Sequence, residues 1–148
     1  MQTKSPCTCF AVRRLSRLVT QIYDQRLGAL GLKVTQYSLL AHVRALPGVT
    51  MGELASRMGM DRSTLTRNLR PLSQAGWIAT ARGADARAVT VGLTDAGRAL
   101  LARARPVWRA AQSELAERLG PDRTQTLHAL ADEASAVLSS WPESFTAA

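Results

Sequence analysis

Apolar residues recur at three- and four-residue steps along most of the chain, which is the periodicity of helices packed on one side. The first such segment runs from residue 10 to about residue 30, after a loose arm formed by residues 1–9. A second spans 36–46, with Thr35 as its predicted N-cap and Pro47 just past its end. These patterns predict two helices in the first third of the chain.

Capping signals place two shorter helices next. Thr50 and Glu53 have the S/T-x-x-E spacing of a capping box, so a third helix is expected to begin after Thr50. Asp61 is a natural N-cap for a fourth helix over residues 62–74, and Gly76 is a natural residue just past its end. A short helix, a tight turn and a second helix therefore follow one another.

The periodicity then changes from helical to extended. Residues 77–81 and 88–93 are short, and the second segment is rich in β-branched side chains. The turn-like connection between them carries Arg82 at one end and Arg87 at the other. This pattern predicts a β-hairpin with a basic tip.

The last third of the chain returns to the helical period. Thr94 is expected to cap a long helix that ends near residue 119, and Pro106 inside it predicts a kink. A final helix is predicted over residues 121–140. The fold class is therefore mainly α with a small β-hairpin: a helix-turn-helix with a wing, flanked by terminal helices.

The fourth helix carries leucines on one side and short polar or positive side chains on the other. At about 100° per residue, Leu65, Leu69 and Leu72 share one face. Small hydroxyls allow close approach to DNA, and arginine offers the paired donors that guanine accepts in the major groove. The alternative is an ordinary amphipathic helix with a solvated face, but such faces usually mix in acids. The candidate DNA contacts on this helix are Arg62, Ser63, Thr64, Thr66, Arg67 and Arg70.

The charge of the chain points the same way. Lysine and arginine total 19 against 11 acids among 148 residues, for a formal charge of +8. Eighteen of the 19 lie between Arg13 and Arg123, so the charge belongs to the fold and not to a tail. A positive fold favours a polyanion as partner, with nucleic acid first and a membrane surface second. The wing candidates for DNA contact are Arg82, Asp85 and Arg87.

Other classes of protein find little support in the sequence. No apolar stretch approaches the length of a membrane span, and no signal peptide is visible, so we expect a cytoplasmic protein that does not bind membranes. We find no catalytic motif of the H-E-x-x-H, G-x-S-x-G or P-loop type, so an enzyme is not expected. A structural zinc site is not indicated, because the two histidines show no ligand spacing with the two cysteines. Nothing else in the sequence requires a bound metal or an organic cofactor.

Several segments together resemble the MarR family of winged helix-turn-helix regulators. They are Glu53-Leu54-Ala55, Ser63 to Arg67 with Leu72, Gly76-Trp77-Ile78, Asp85-x-Arg87, and Val91-x-Leu93-Thr94-x-x-Gly97. The chain departs from the family at Ala86, where a second basic residue is common, and at Pro71 inside the fourth helix.

The resemblance implies a single domain over residues 1–148 that forms a homodimer. It places the DNA-binding region at 35–94 and the dimerisation helices at 10–30 and 121–145, with part of 95–119. Trp141 and Phe145 are candidates for the contact between subunits. The two recognition helices of such a dimer would address a pseudo-palindromic operator.

The resemblance also implies a trigger that releases the DNA. One is a small ligand, often an aromatic acid, in a crevice beside the dimer helices, where arginines suit a carboxylate and tyrosines suit a ring. The other is oxidation: Cys9 at the start of the first helix, with Tyr23 on the same helix, resembles the peroxide-sensing branch, and Cys7 is a further thiol. That branch has a second tyrosine where this chain has Val34. The candidate ligand contacts are Arg13, Arg14, Arg17, Tyr23, Tyr37 and His42.

The sequence thus predicts a DNA-binding transcriptional regulator, a homodimeric repressor released by a small effector. A thiol-sensing repressor acting through Cys9 is the alternative within the family. A ligand-binding or scaffold protein that does not bind DNA is the alternative from another class.

Overall fold

The computed structural model describes residues 6–85 and 87–140, and it is mostly helical with one two-stranded antiparallel hairpin. This confirms the predicted fold class. The arm over residues 1–5, Ala86, Trp141 and Phe145 lie outside the described residues. The elements are α1 Thr8–Leu27 with a 3-10 turn Gly28–Leu30, α2 Val34–Ala45, α3 Met51–Arg57, α4 Arg62–Gln74, β1 Ile78–Arg82, β2 Val89–Leu93, α5 Asp95–Leu119 and α6 Pro121–Ser139.

Helix α1 begins earlier than the apolar pattern indicated. Its first residue is Thr8, and Cys7 is the N-cap, with its Sγ accepting a hydrogen bond from the Phe10 amide at 3.5 Å. The predicted arm was therefore wrong at residues 8 and 9. A cysteine is not a usual capping residue, which is why the sequence did not show this start.

Helix α2 also begins before its predicted start, and Thr35 lies inside it instead of capping it. Lys33 holds the cap position, and its amide donates to Gln36 Oε1 at 2.9 Å. The amide of Val34, in the first turn, donates to Asp24 Oδ1 at 2.7 Å. A carboxylate from α1 thus satisfies one amide in the first turn of α2, a task that a local hydroxyl cap would otherwise perform.

The two caps of the helix-turn-helix are those that the sequence predicted. Thr50 Oγ1 accepts from the Glu53 amide at 3.2 Å, and Glu53 Oε2 accepts from the Thr50 amide at 2.8 Å, so the capping box is complete. The hydrogen bond from the Thr50 backbone is the main reason why the pKa of Glu53 lies below its ordinary value. Helix α4 begins directly after Asp61, and Gly76 follows its end with φ +72°.

The described residues divide into two compact units, of which the first ends at Ala111 and the second begins at Gln112. The core of the first unit is built mainly from leucines, and the three leucines of α4 are at most 4% exposed. Burying a leucine side chain stabilises a fold by about 1.5–3 kcal/mol, so these residues fix which face of α4 points outward. The largest of the fully buried side chains are Leu27, Leu32, Leu39, Leu40, Leu54, Leu65, Leu72 and Val91.

The hairpin is joined to the helices at two places. Strand β1 pairs with β2 in the register Ile78↔Leu93 to Arg82↔Val89, which confirms the predicted hairpin. A further bridge, which the sequence did not indicate, joins Thr50 to Thr90 beside a hydrogen bond from the Val91 amide to the Val49 carbonyl at 2.9 Å. The wing is therefore anchored to the turn that precedes α3.

The second attachment is the junction of α4, β1 and α5. Thr94 Oγ1 donates to the Gly76 carbonyl at 2.6 Å, and the Thr94 amide donates to the Trp77 carbonyl at 3.1 Å. Gly97, in the first turn of α5, packs so closely on Trp77 that a Cβ there would overlap the Trp77 carbonyl. This close approach explains why a glycine stands at a helical position where alanine is otherwise preferred.

Both terminal helices expose apolar side chains. On α1 these include Val12 and Leu18, which are 61% and 52% exposed. On α6, Val137 and Leu138 are 59% and 62% exposed. Of the helices described, none is long and apolar enough to cross a membrane.

Candidate nucleic-acid interface

The N-cap of α4 organises the first turn of its outer face. Asp61 Oδ1 accepts from the Thr64 amide and from Ser63 Oγ, both at 2.7 Å, while Asp61 Oδ2 accepts from Thr64 Oγ1 at 2.7 Å. The hydrogen bond from the Ser63 side chain is the largest of the causes that hold the pKa of Asp61 well below its ordinary value of 3.8. Asp61 is therefore a carboxylate at neutral pH, committed to residues of its own helix.

The outer face of α4 is exposed, polar and free of acids. Arg62, Ser63, Thr66, Arg67 and Arg70 are exposed and Thr64 is half-buried, as the leucine positions require. The Arg67 guanidinium donates to Thr64 Oγ1 at 3.2 Å, so this arginine is already oriented along the helix. Pro71 lies inside α4, which is nonetheless continuous to Gln74.

Asn68 is an exposed polar residue of α4 that sequence reasoning overlooked. Its Nδ2 lies 3.5 Å from Met60 Sδ, which ties it to the turn before the helix. An asparagine amide can pair with both the N6 and N7 positions of adenine. The residue type alone could have suggested Asn68 as a DNA contact. It was not predicted because the helical projection places it towards the leucine side of α4.

The wing presents its two arginines on either side of a hydrogen-bonded turn. Arg82 ends β1 and Arg87 precedes β2, and both are exposed. Asp85 Oδ1 accepts from the Arg87 amide at 3.1 Å, and the Asp85 carbonyl accepts from the Ala88 amide at 2.9 Å. Asp85, predicted as a DNA contact, therefore also shapes the turn that carries Arg87.

A cavity of about 380 Å³ lies between α2 and α5, within the first unit. The ring of Tyr37 stacks on Trp108, with centroids 5.5 Å apart and planes 16° from parallel. Arg44 and Arg105 also line the cavity. Burial raises the pKa of Tyr37, and the nearby charges of Arg105, Arg109 and Arg44 act against that rise. The cavity thus combines stacked aromatic rings with positive charge.

The other predicted ligand contacts do not line this cavity. Arg17 lines a separate open groove along α1 with Thr20 and Asp24. His42 Nδ1 is 2.7 Å from the Ser38 carbonyl on its own helix, and burial raises the pKa of Tyr23. Arg13 and Arg14 are exposed on α1. Of the six candidates the structure brings only Tyr37 to the cavity, and the other five stay predictions.

The cysteines are exposed, and neither forms a disulfide. Cys7 caps α1, and Cys9 is the second residue of the helix. Cys9 and Tyr23 are 14 residues apart, which is about 21 Å along one helix, so they cannot meet within a single chain. A thiol sensor that pairs them would therefore need a second copy of the chain.

Comparisons with known proteins agree with this geometry. Residues 30–88 match the sequence profile of the MarR family. The HTH-type transcriptional repressor Rv2887 of Mycobacterium tuberculosis is 34% identical over 111 residues, which are 74% of this chain and 80% of that protein. The chain spans only 61% and 48% of the lengths of two further curated regulators that it matches.

Two solved structures extend the likeness over most of the chain. The transcriptional regulator MosR of M. tuberculosis, in complex with DNA, is 40% identical with a TM-score of 0.76, covering 88% of this chain and 98% of that one. The transcriptional repressor CouR, bound to a 23-mer DNA duplex, is 26% identical with a TM-score of 0.80, covering 91% of this chain and 99% of that one.

Proposed function

Because the chain belongs to the MarR family of transcriptional regulators, we propose that it binds a pseudo-palindromic DNA operator as a homodimeric repressor and leaves it when a small aromatic acid binds. The observation that carries this proposal is the outer face of α4. It has exposed hydroxyls and arginines, no acid after the cap, and three buried leucines behind it. Two of the similar proteins were solved bound to DNA.

The geometry of α4 and the wing supports contact with duplex DNA. Helix α4 presents Arg67 and Arg70 on a surface with no bulky apolar side chain, as insertion into the major groove requires. Arg82 and Arg87 lie at the tip of a hairpin whose base is tied to the end of α4 through Thr94. Arginines in that position suit phosphates or the narrower minor groove.

The exposed apolar faces of α1 and α6 support a homodimer. Side chains such as Leu18, Val137 and Leu138 are each more than half exposed, although isolated subunits rarely leave such rows uncovered. A second copy of the chain would bury them, as the family arrangement implies. Dimerisation would also double the number of bases that a short α4 can read.

The Tyr37–Trp108 cavity supports an aromatic acid as the effector. Its volume suits a small ligand, and a ring could stack on Tyr37 or Trp108. Arg44 and Arg105 could bind the carboxylate through charged hydrogen bonds. The arginines of the site thus differ from those on α1 that the sequence suggested.

The DNA-binding proposal is tested by removing one arginine from each element. Arg67→Ala with Arg87→Ala should abolish specific binding to an operator found upstream of the gene, measured by fluorescence anisotropy against scrambled competitor DNA. The matched control is Arg103→Ala with Arg123→Ala, which removes the same charge from α5 and α6. Sedimentation should show unchanged dimers for the first pair, and it also checks that the control pair, which lies in the predicted dimerisation region, keeps its assembly. The slope of log affinity against log salt should fall by about 1 for each phosphate interaction that the substitutions remove.

The result also separates the alternatives. Operator binding that survives the first pair of substitutions would show that the DNA-binding residues have been misplaced. Absence of sequence preference in the wild-type protein, for that operator and for duplexes selected from a random pool, would favour the ligand-binding or scaffold alternative.

The effector proposal is tested on the same complex. A panel of aromatic carboxylates should release the DNA, while their neutral amides should not, because only the acids engage Arg44 and Arg105. Arg105→Ala should raise the concentration required for release by roughly tenfold or more, since a charged hydrogen bond contributes about 1.5–3 kcal/mol. Release by acid and amide at equal concentrations would contradict a carboxylate site.

A further inference from the structure

The three hydroxyls on the first two turns of α4 all donate their protons within the chain. Ser63 Oγ and Thr64 Oγ1 each lie 2.7 Å from an oxygen of Asp61, and Thr66 Oγ1 lies 2.8 Å from the Arg62 carbonyl. Neither a carboxylate nor a carbonyl has a proton to give. The direction of all three hydrogen bonds is therefore fixed by chemistry, with the hydroxyl as donor.

A hydroxyl has one proton and two lone pairs, so each of these groups can only accept a hydrogen bond from an outside partner. Thr64 already accepts from the Arg67 guanidinium at 3.2 Å, which leaves it one lone pair. The arginines of the same face are donors only. On the outer face of α4, the three hydroxyls thus accept hydrogen bonds from outside partners and the arginines donate them.

The major groove offers partners of both kinds. Donors are the exocyclic amines, N6 of adenine and N4 of cytosine, while O4 of thymine, O6 and N7 of guanine and the phosphate oxygens are acceptors. An oxygen with only lone pairs is attracted to the amines and repelled by the acceptors. While they keep these internal partners, the three hydroxyls distinguish between base edges, and they cannot donate to phosphates.

We propose that Ser63, Thr64 and Thr66 read the operator as hydrogen-bond acceptors, contacting the exocyclic amines of adenine or cytosine and leaving guanine and phosphate to the arginines. The inference rests on the proposed function, since it requires α4 to lie in the major groove. It adds which chemical group each of the three hydroxyls recognises.

A substitution at Asp61 offers a way to turn one of the three hydroxyls from an acceptor into a donor. Its Oδ1 accepts from the Thr64 amide and Ser63, whereas Oδ2 accepts from the Thr64 hydroxyl. In Asp61→Asn the amide nitrogen takes the place of Oδ2 and donates to Thr64, whose proton then turns outward. Asparagine caps helices about as well as aspartate, so α4 should be retained. Thr66 is an internal control because its proton goes to a backbone carbonyl.

The experiment begins with selection of bound duplexes from a randomised pool by the full-length chain. In the selected half-site, each adenine is replaced by purine and each cytosine by 2-pyrimidinone, which removes the exocyclic amine. Wild-type affinity should fall roughly 5- to 20-fold at one to three positions. One of these losses should disappear in Thr66→Val, which keeps the side-chain volume and removes the hydroxyl. The same replacement in flanking DNA controls for weakened base pairing.

Repeating the selection with Asp61→Asn provides the second readout. At the position read by Thr64 the preferred base should change to thymine or guanine, with the other positions unchanged. Sequence-specific binding that no amine removal weakens would overturn the inference and leave the proposed function standing. A pool that yields no preferred sequence would overturn both.

Discussion

Gly97 and Gly52 are both helical glycines in a first turn, yet replacing them by alanine should have opposite effects on stability. A Cβ at Gly52 would meet no atom within 4 Å. A Cβ at Gly97 would overlap the Trp77 carbonyl oxygen, with the carbonyl carbon 2.9 Å and Cα 3.2 Å away. These are backbone atoms, so no flexible side chain can move aside.

The magnitude follows from what must shift. Ordinary contact between heavy atoms begins at about 3.5 Å, so α5 would have to move from Trp77 by on the order of 1 Å. The hydrogen bonds from Thr94 to Gly76 and Trp77 are now 2.6 and 3.1 Å long, and they would lengthen to or beyond the greatest length of a hydrogen bond. Losing them costs about 1–3 kcal/mol, and the strain of overpacking adds about 1–3 kcal/mol. The higher helix propensity of alanine offsets about 1 kcal/mol of this destabilisation.

Gly97→Ala should therefore destabilise the protein by about 1–5 kcal/mol. Gly52→Ala should stabilise it by about 0.5–1 kcal/mol. Urea unfolding followed by circular dichroism measures both, at one fixed protein concentration because dimerisation shifts the apparent stability. A Gly97→Ala variant as stable as the wild type would refute the close contact, and two shifts of the same sign would refute the comparison.

Three further predictions concern other parts of the chain. The pKa values of Asp61 and Glu53 lie below their ordinary values of 3.8 and 4.5, mainly through hydrogen bonds from the Ser63 side chain and the Thr50 backbone. The stabilisation that these two carboxylates contribute is therefore full at neutral pH and is lost as the pH falls through their lowered pKa values. A variant with Asp61→Asn and Glu53→Gln should lose less stability than the wild type on acid titration. Parallel curves of stability against pH for the two proteins would contradict this. Leu18→Glu should weaken the dimer in sedimentation because it charges an apolar face, and an unchanged dimer would exclude that face. Cys9→Ser should leave DNA binding intact, and a peroxide response that survives it would rule out sensing through this thiol.

The sequence predicted a helix start correctly where a residue type that commonly caps helices has its partner within three residues. Thr50 with Glu53 and Asp61 with Thr64 form such local pairs, and both helices begin where the sequence indicated. The start of α2 was misplaced because Asp24, ten residues away on α1, accepts from its first turn. No capping motif records a partner that only tertiary packing brings into place.

The outer face of α4 and the cavity between α2 and α5 also differ in how far the sequence could predict them. The outer face of α4 was predictable because one helical period, set by three leucines, fixes every other position on that helix. The cavity was not, because Arg44 and Arg105 lie on different helices about sixty residues apart, and no periodicity relates them. Whether each hydroxyl of α4 donates or accepts a hydrogen bond depends on its side-chain rotamer, which the sequence does not determine.

The close contact at Gly97 also bears on how a ligand could act at a distance. The first half of α5 carries Gly97 against Trp77 and, eight residues or about 12 Å later, Arg105 in the cavity. Under the proposed function, an acid bound between Arg44 and Arg105 would release the DNA by shifting α5 relative to α2. A loose contact at Trp77 would absorb that shift, because side chains could repack around it. Here backbone meets backbone without a gap, so a movement of α5 displaces the residues that join α4 to β1. Under the proposed function, this packing would couple the cavity mechanically to α4 and the wing.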